Sequence, residues 1–150
     1  METKASALPV DENQPLILAL RDISHILRLL YEGKGSQKGI LIALGELGPI
    51  TQRALTEWLG IQPGSVSEVL TKLEHGGLIR RVPCEADRRT VTVSLTPEGE
   101  RRAAQLRQQR IARHDEMFAC LSDTEKRTLL RLLQTLNQDW SVRYLNQSGS

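Results

Sequence analysis

The sequence predicts a mainly α-helical chain that carries one small β-hairpin. Two observations carry this. The 150 residues hold 24 leucines and only 3% aromatics, an aliphatic supply that suits helices better than sheets. Apolar residues recur at spacings of three and four along most of the chain, whereas a clean period of two appears only at Val91, Val93 and Leu95. The length fits one compact domain or two small interlocked ones.

The first helix is expected from about Pro15, where Leu16, Leu20, Ile23, Ile26, Leu27 and Leu30 form one apolar face, with Asn13 as cap and Gly33 and Gly35 ending it. Ser36 caps a second helix with Ile40, Leu41, Leu44 and Leu47 inward, stopped by Gly48 and Pro49. Thr51 caps a short third helix that turns Ala54, Leu55, Trp58 and Leu59 inward and breaks at Gly60. A tight turn over residues 61–64 leads into a fourth helix, with Val66, Val69, Leu70 and Leu73 on one face and Gly76 and Gly77 at its end. Residues 51–76 therefore read as helix, short turn, helix. Two strands follow, at 78–82 and 91–95, joined by a loop that holds Asp87, Arg88 and Arg89. Thr96, Pro97 and Glu98 start a fifth helix that can run to about Cys120. Its apolar face is broken at Arg110 and His114, either by a polar contact across a dimer or by a change of face. A capping box over 122–125 opens a sixth helix, with Leu129, Leu132, Leu133, Leu136 and Trp140 in a stripe. The tail from Asn146 is polar and expected to be loose.

The net charge of +2 hides a gradient. Residues 1–50 are net −1, 51–113 net +4 and 114–150 net −1, and 15 of the 20 basic residues are Arg. A basic middle fits a polyanion partner as well as it fits a fluctuation on solvated helices. The longest apolar run has five residues, far short of the roughly 18 that a membrane span needs. The polar start is no secretory signal, and two cysteines, Cys84 and Cys120, make no disulfide framework, so a reducing cytosol is the expected compartment. His25, His75 and His114 lie far apart without a metal-ligand pattern, and no nucleotide loop or nucleophile motif occurs, so neither metal, cofactor nor enzymatic activity is expected.

Residues 36–99 resemble a MarR-family winged helix-turn-helix transcriptional regulator. The resemblance is carried by Leu55-Thr56-Glu57-Trp58-Leu59-Gly60-Ile61, by Ser65-Val66-Ser67, and by Leu73-Glu74-His75-Gly76-Gly77-Leu78-Ile79-Arg80-Arg81. It continues through Asp87-Arg88-Arg89 and Val93-Ser94-Leu95-Thr96-Pro97-Glu98-Gly99. It implies a helical dimerisation segment over 1–32, a winged helix-turn-helix over 33–95 and dimerisation helices over 96–150. The implied protein is a cytoplasmic homodimer on double-stranded DNA, a repressor released by a small phenolic or oxidant effector. Each protomer would lay its fourth helix in a major groove and its wing in the neighbouring minor groove. Leu16, Leu20, Ile23, Phe118, Leu129, Leu133, Leu136 and Trp140 are the expected dimer residues. The alternatives are a winged-helix docking module and a redox-sensing regulator.

The residues agree with this carry-over. Ser65, Ser67, Glu68, Thr71 and Lys72 lie on the outer face of the fourth helix, with small hydroxyl residues near its start, where backbone N–H groups favour a phosphate. Glu68 departs from the family pattern. It can pair with Lys72, the favoured reading, or accept from a cytosine amino group. Arg88 and Arg89 suit a narrow minor groove, and Asp87 can fork with one of them. On the strand before the wing only one of Arg80 and Arg81 can face outward at a time, and Arg81 is taken as a DNA candidate. Gln52, Arg53 and Ser36 are phosphate candidates at helix starts. His25, Arg28, Tyr31 and Trp58 are a candidate effector site, with ordinary packing and surface roles favoured. Cys84, at the wing start, is either a redox switch or an incidental cysteine, the latter favoured.

Overall fold

The computed structural model describes residues 10–146. The polar stretch before Val10 and the tail from 147 onward lie outside the described residues. The elements run α1 (Gln14–Leu30), α2 (Gln37–Leu47), β1 (Ile50–Thr51), α3 (Gln52–Leu59), α4 (Pro63–His75), β2 (Ile79–Pro83), β3 (Val91–Leu95), α5 (Pro97–Met117) and α6 (Asp123–Trp140), closed by a π-helical turn, Ser141–Leu145. The chain divides into two compact units, residues 1–103 and 104–150.

The first unit is built on a mixed core. Ile40, Leu41, Ile42, Ala43 and Leu44 of α2 are buried together with Leu55, Leu59, Val66, Leu70, Leu73, Ile79, Val93 and Ala103. Each large aliphatic side chain buried this way stabilises by about 1.5–3 kcal/mol. The helix-turn-helix is shaped by its ends. The Thr51 hydroxyl accepts from the Ala54 N–H (3.1 Å), and Gly60 closes α3 in the left-handed region at φ +65°. At the end of α4 the Gly77 N–H donates to Glu74 O and the Leu78 N–H to Leu73 O, both 3.0 Å, with Gly77 at φ +73°. This reverse cap is the work of a glycine, because a side chain at positive φ is strained.

The sheet is antiparallel in the order β1-β3-β2. Arg81 pairs Val93 and Pro83 pairs Val91 in the hairpin, while Ile50 pairs Val93 on the other side. The start of α5 is fastened to the turn before β2: the Thr96 hydroxyl donates to Gly77 O (2.7 Å) and accepts from the Gly99 N–H (3.0 Å), and the Thr96 N–H donates to Leu78 O (3.0 Å). Gly99 is needed there, since a Cβ on it would overlap the Leu78 carbonyl oxygen.

The second unit carries most of α5 and all of α6. Ser122 and Glu125 form the expected capping box, the Ser122 hydroxyl accepting from the Glu125 N–H (3.2 Å) and the Glu125 carboxylate from the Ser122 N–H (3.0 Å). That hydrogen bond from Ser122 holds the Glu125 carboxyl below its ordinary range.

Several details differ from expectation. Asn13 does not cap α1 with its side chain; Asp11 instead accepts from the Asn13 N–H (3.0 Å), so the polar turn forms one step earlier. Leu47 and Trp58 are exposed, because the buried lines run through Leu44 on α2 and through Leu55 and Leu59 on α3, which leaves both on the flank. α4 starts at Pro63, so Gly64 is helical. β2 begins one residue late because the cap of α4 uses Leu78. α5 stops at Met117, where bonds from Ala119 to Glu116 and from Leu121 to Phe118 tighten the chain into the turn before Ser122. The strand β1 is not legible in the sequence, having two residues.

Candidate nucleic-acid interface

α3, the turn at Gly60–Gln62 and α4 place a helix whose inner side is fixed by Val66, Leu70 and Leu73. Its outer side presents Ser65, Glu68 and Lys72 to solvent, with Ser67 and Thr71 half-buried beside them. At the helix start, Ser65 and Val66 both donate their N–H groups to Gln62 O, so a phosphate there would meet the Gly64 N–H. Glu68 and Lys72 form the expected i,i+4 ion pair at 3.3 Å. A surface pair of this kind is worth little in stability, but it turns the carboxylate toward its own lysine.

The wing is the β2–β3 hairpin. Its loop is shaped by Asp87, whose Oδ1 accepts from the Arg89 N–H (3.0 Å) and whose carbonyl accepts from the Thr90 N–H (2.9 Å). Asp87 thus orients the loop backbone and not a guanidinium, which corrects the expected fork with an arginine. Short polar side chains commonly close turns in this way. Arg88 and Arg89 are exposed at the tip, and among the described residues neither takes part in an ion pair that would neutralise it. Cys84 is half-buried at the base of the loop, its N–H donating to Thr90 O (2.7 Å).

Arg81 behaves differently from the other DNA candidates. Its side chain is only 20% exposed, and its Nη2 donates to Thr71 Oγ1 and to Glu74 Oε1, each at 3.0 Å. The Arg81 N–H donates to the second carboxylate oxygen of Glu74 (3.2 Å), and the Thr71 hydroxyl donates to Ser67 O (2.9 Å). The hydrogen bond from Arg81 holds the Glu74 carboxyl below its ordinary value. The outward arginine of the strand is Arg80. Glu74, which holds Arg81, was not among the expected site residues. The period of two placed one arginine inward, but only the position of β2 beside the last turn of α4 shows which.

The remaining candidates are scattered. The Ser36 hydroxyl caps α2 through the Gly39 N–H (3.0 Å), and Arg53 pairs with Glu57 (3.3 Å) at the start of α3, next to half-buried Gln52. His25 and Arg28 are exposed on α1, Tyr31 is half-buried at its end, and Trp58 is 51% exposed on α3. The apolar stripes stay open: Leu16 is 64% exposed, Ile23 is exposed and Leu20 half-buried on α1, and Phe118, Leu129, Leu133, Leu136 and Trp140 are exposed in the second unit. Among the described residues no cluster of three His, Cys, Asp or Glu could hold a metal ion, and no helix is long and apolar enough to cross a membrane.

Residues 36–91 match the model of the MarR family. A protein of Thauera aromatica described as a putative transcriptional regulatory protein for the hcr operon is 33% identical over 99 residues, 65% of this chain and 59% of that protein's length. Among solved structures, a mutant MarR from E. coli complexed with operator DNA superposes with a TM-score of 0.64 at 27% identity, over 85% of this chain and 99% of that one. Streptococcus pneumoniae FabT in complex with DNA superposes with a TM-score of 0.70 over 87% of this chain and 98% of that one, and at 23% identity it speaks to the fold.

Proposed function

This chain belongs to the MarR family of winged-helix regulators, and from that we propose that it binds double-stranded DNA sequence-specifically as a homodimer and regulates transcription. The observation that carries the reading is the arginine-tipped wing. Arg88 and Arg89 project from a loop whose backbone is shaped by Asp87, on the same unit as an α4 surface rich in small polar groups. Helix surface and wing arginines together suit a major groove and the minor groove beside it. The E. coli relative described as complexed with operator DNA supports the same reading.

In this proposal Ser65, Ser67 and Lys72 approach base edges or phosphates. Arg88 and Arg89 enter the minor groove. Arg53, Gln52 and Ser36 lie at helix starts, where phosphates are favoured. The dimer interface is formed by the exposed stripe of α1, within a segment 1–32, and by those of the C-terminal helices, within 96–150, with the DNA-binding region at 33–95. Release by a small phenolic or oxidant effector is the finer reading, with His25, Arg28, Tyr31 and Trp58 the residues proposed for it.

The test is a mobility-shift titration on the promoter region next to the protein's own gene. A dissociation constant of about 10⁻⁸ M or tighter, weakening steeply with salt, is expected. Arg88→Ala should weaken binding and flatten the salt dependence by about one phosphate's worth. A folded dimer with no preference for any genomic fragment overturns the regulator reading in favour of a docking module.

A further inference from the structure

The wing and α4 are joined by a turn, Gly76-Gly77-Leu78, whose central glycine is left-handed. A glycine turn is a natural pivot. Packing of Ile79 and Val93 into the core holds the base of the hairpin. Arg81 adds a brace across the pivot: one guanidinium nitrogen reaches both Thr71 and Glu74 of α4, while its own backbone N–H is held by the same carboxylate. Both oxygens of Glu74 are thereby engaged, and the single proton of the Thr71 hydroxyl is spent on Ser67 O. These groups are turned toward each other and not toward a groove.

We propose that Arg81 is a positioning residue for DNA binding: by tying Thr71 and Glu74 of α4 to β2, it holds the wing at one fixed offset from the helix, so that both reach the same duplex together. This rests on the regulator reading above. The physical gain is preorganisation. When the helix has docked, the second contact becomes intramolecular, and its strength depends on how narrowly the wing's position is already defined. The charge of Arg81 is neutralised by Glu74 at 3.0 Å, so Arg81 is a poor phosphate partner but a good strut. Thr71 belongs to the strut and does not read bases.

The experiment is a double-mutant cycle between the strut and the wing tip, read as operator affinity of the full-length protein. In the wild-type background Arg88→Ala should cost about tenfold. In the Arg81→Ala background the same change should cost under about threefold, because a misplaced tip has little left to lose. Arg81→Lys, which can still reach Glu74, should restore part of the coupling. Should thermal melts show that Arg81→Ala does not fold, Thr71→Val serves in its place, since it deletes one acceptor and keeps the shape.

Thr71→Val should also lower affinity evenly across single-base operator variants. Loss of preference at one base pair would make Thr71 a base reader and overturn the strut. Losses that simply add in folded variants overturn the positioning role alone. A wild-type protein with no preferred DNA overturns the regulator reading and takes this proposal with it.

Discussion

Gly99 shows how much one hydrogen in place of a side chain can matter. It is buried at the start of α5, where the chain passes against the carbonyl of Leu78. Alanine would ordinarily favour a helix by about 1 kcal/mol over glycine. Here its methyl would occupy the place of a backbone oxygen, which cannot swing aside as a long side chain does. Gly99→Ala should therefore destabilise by about 1–3 kcal/mol in urea denaturation, with the Thr96 cap disrupted. Gly64→Ala is the contrasting case, since a methyl there meets nothing within 4 Å. Its stability should hold or rise, and any defect should show only in DNA binding. These two glycines look alike in the sequence, because both sit in the first turn of a helix after a proline. The difference lies in a carbonyl twenty-one positions upstream of Gly99, a contact that only the fold creates.

At the scale of elements, the α4–β2 brace has its own pH dependence. The Arg81 hydrogen bond lowers the folded-state pKa of Glu74 below the unfolded value of about 4.3. The stabilisation is therefore fully present above that value and is lost as pH falls through the lower, folded one. The carboxylate is partly exposed, so solvent screening keeps the effect modest. The stability advantage of wild type over Glu74→Gln, followed by denaturation from pH 6 to pH 3, should shrink toward acid; an advantage that grows would contradict the pairing. Elements with strong local signals were legible in advance: the capping box at Ser122, the alternation of Val91 and Val93, the glycine stop after α4. The two-residue β1 was not, because its pairing with β3 depends on partners more than forty residues away. Trp58 faces outward against its spacing, because a short helix with two core leucines leaves the tryptophan on the flank.

For the whole molecule, the family and its fold were legible because several weak motifs fall in one order at compatible spacings. The division of labour among arginines was less so. Arg80, Arg81, Arg88 and Arg89 are alike in sequence, yet one is bound inward and three face water. The exposed apolar stripes carry the whole-molecule prediction. No residue of α1 or of α6 is buried in the single chain, although both helices are clearly two-sided. Isolated helices gain little stability from propensity alone and need a partner for the apolar side. Light scattering at micromolar concentration should give twice the chain mass, and placing lysines at Leu133 and Leu136 should yield monomers with weaker DNA binding. A monomeric wild type would contradict the proposed dimer.

The central strand β3 is flanked on both sides only at Thr92 and Val93, since β1 offers just Ile50 and Thr51. Beyond that point the hairpin is a cantilever, clamped at its root and free along its outer span. Pro83, opposite Val91, costs the ladder no bond, since the next hydrogen bond runs from the Cys84 N–H to Thr90 O. The two strands thus stay paired up to the loop, and adjustment to a groove whose width varies with sequence is left to the side chains of Arg88 and Arg89 at the tip, while the strands keep the offset that Arg81 sets.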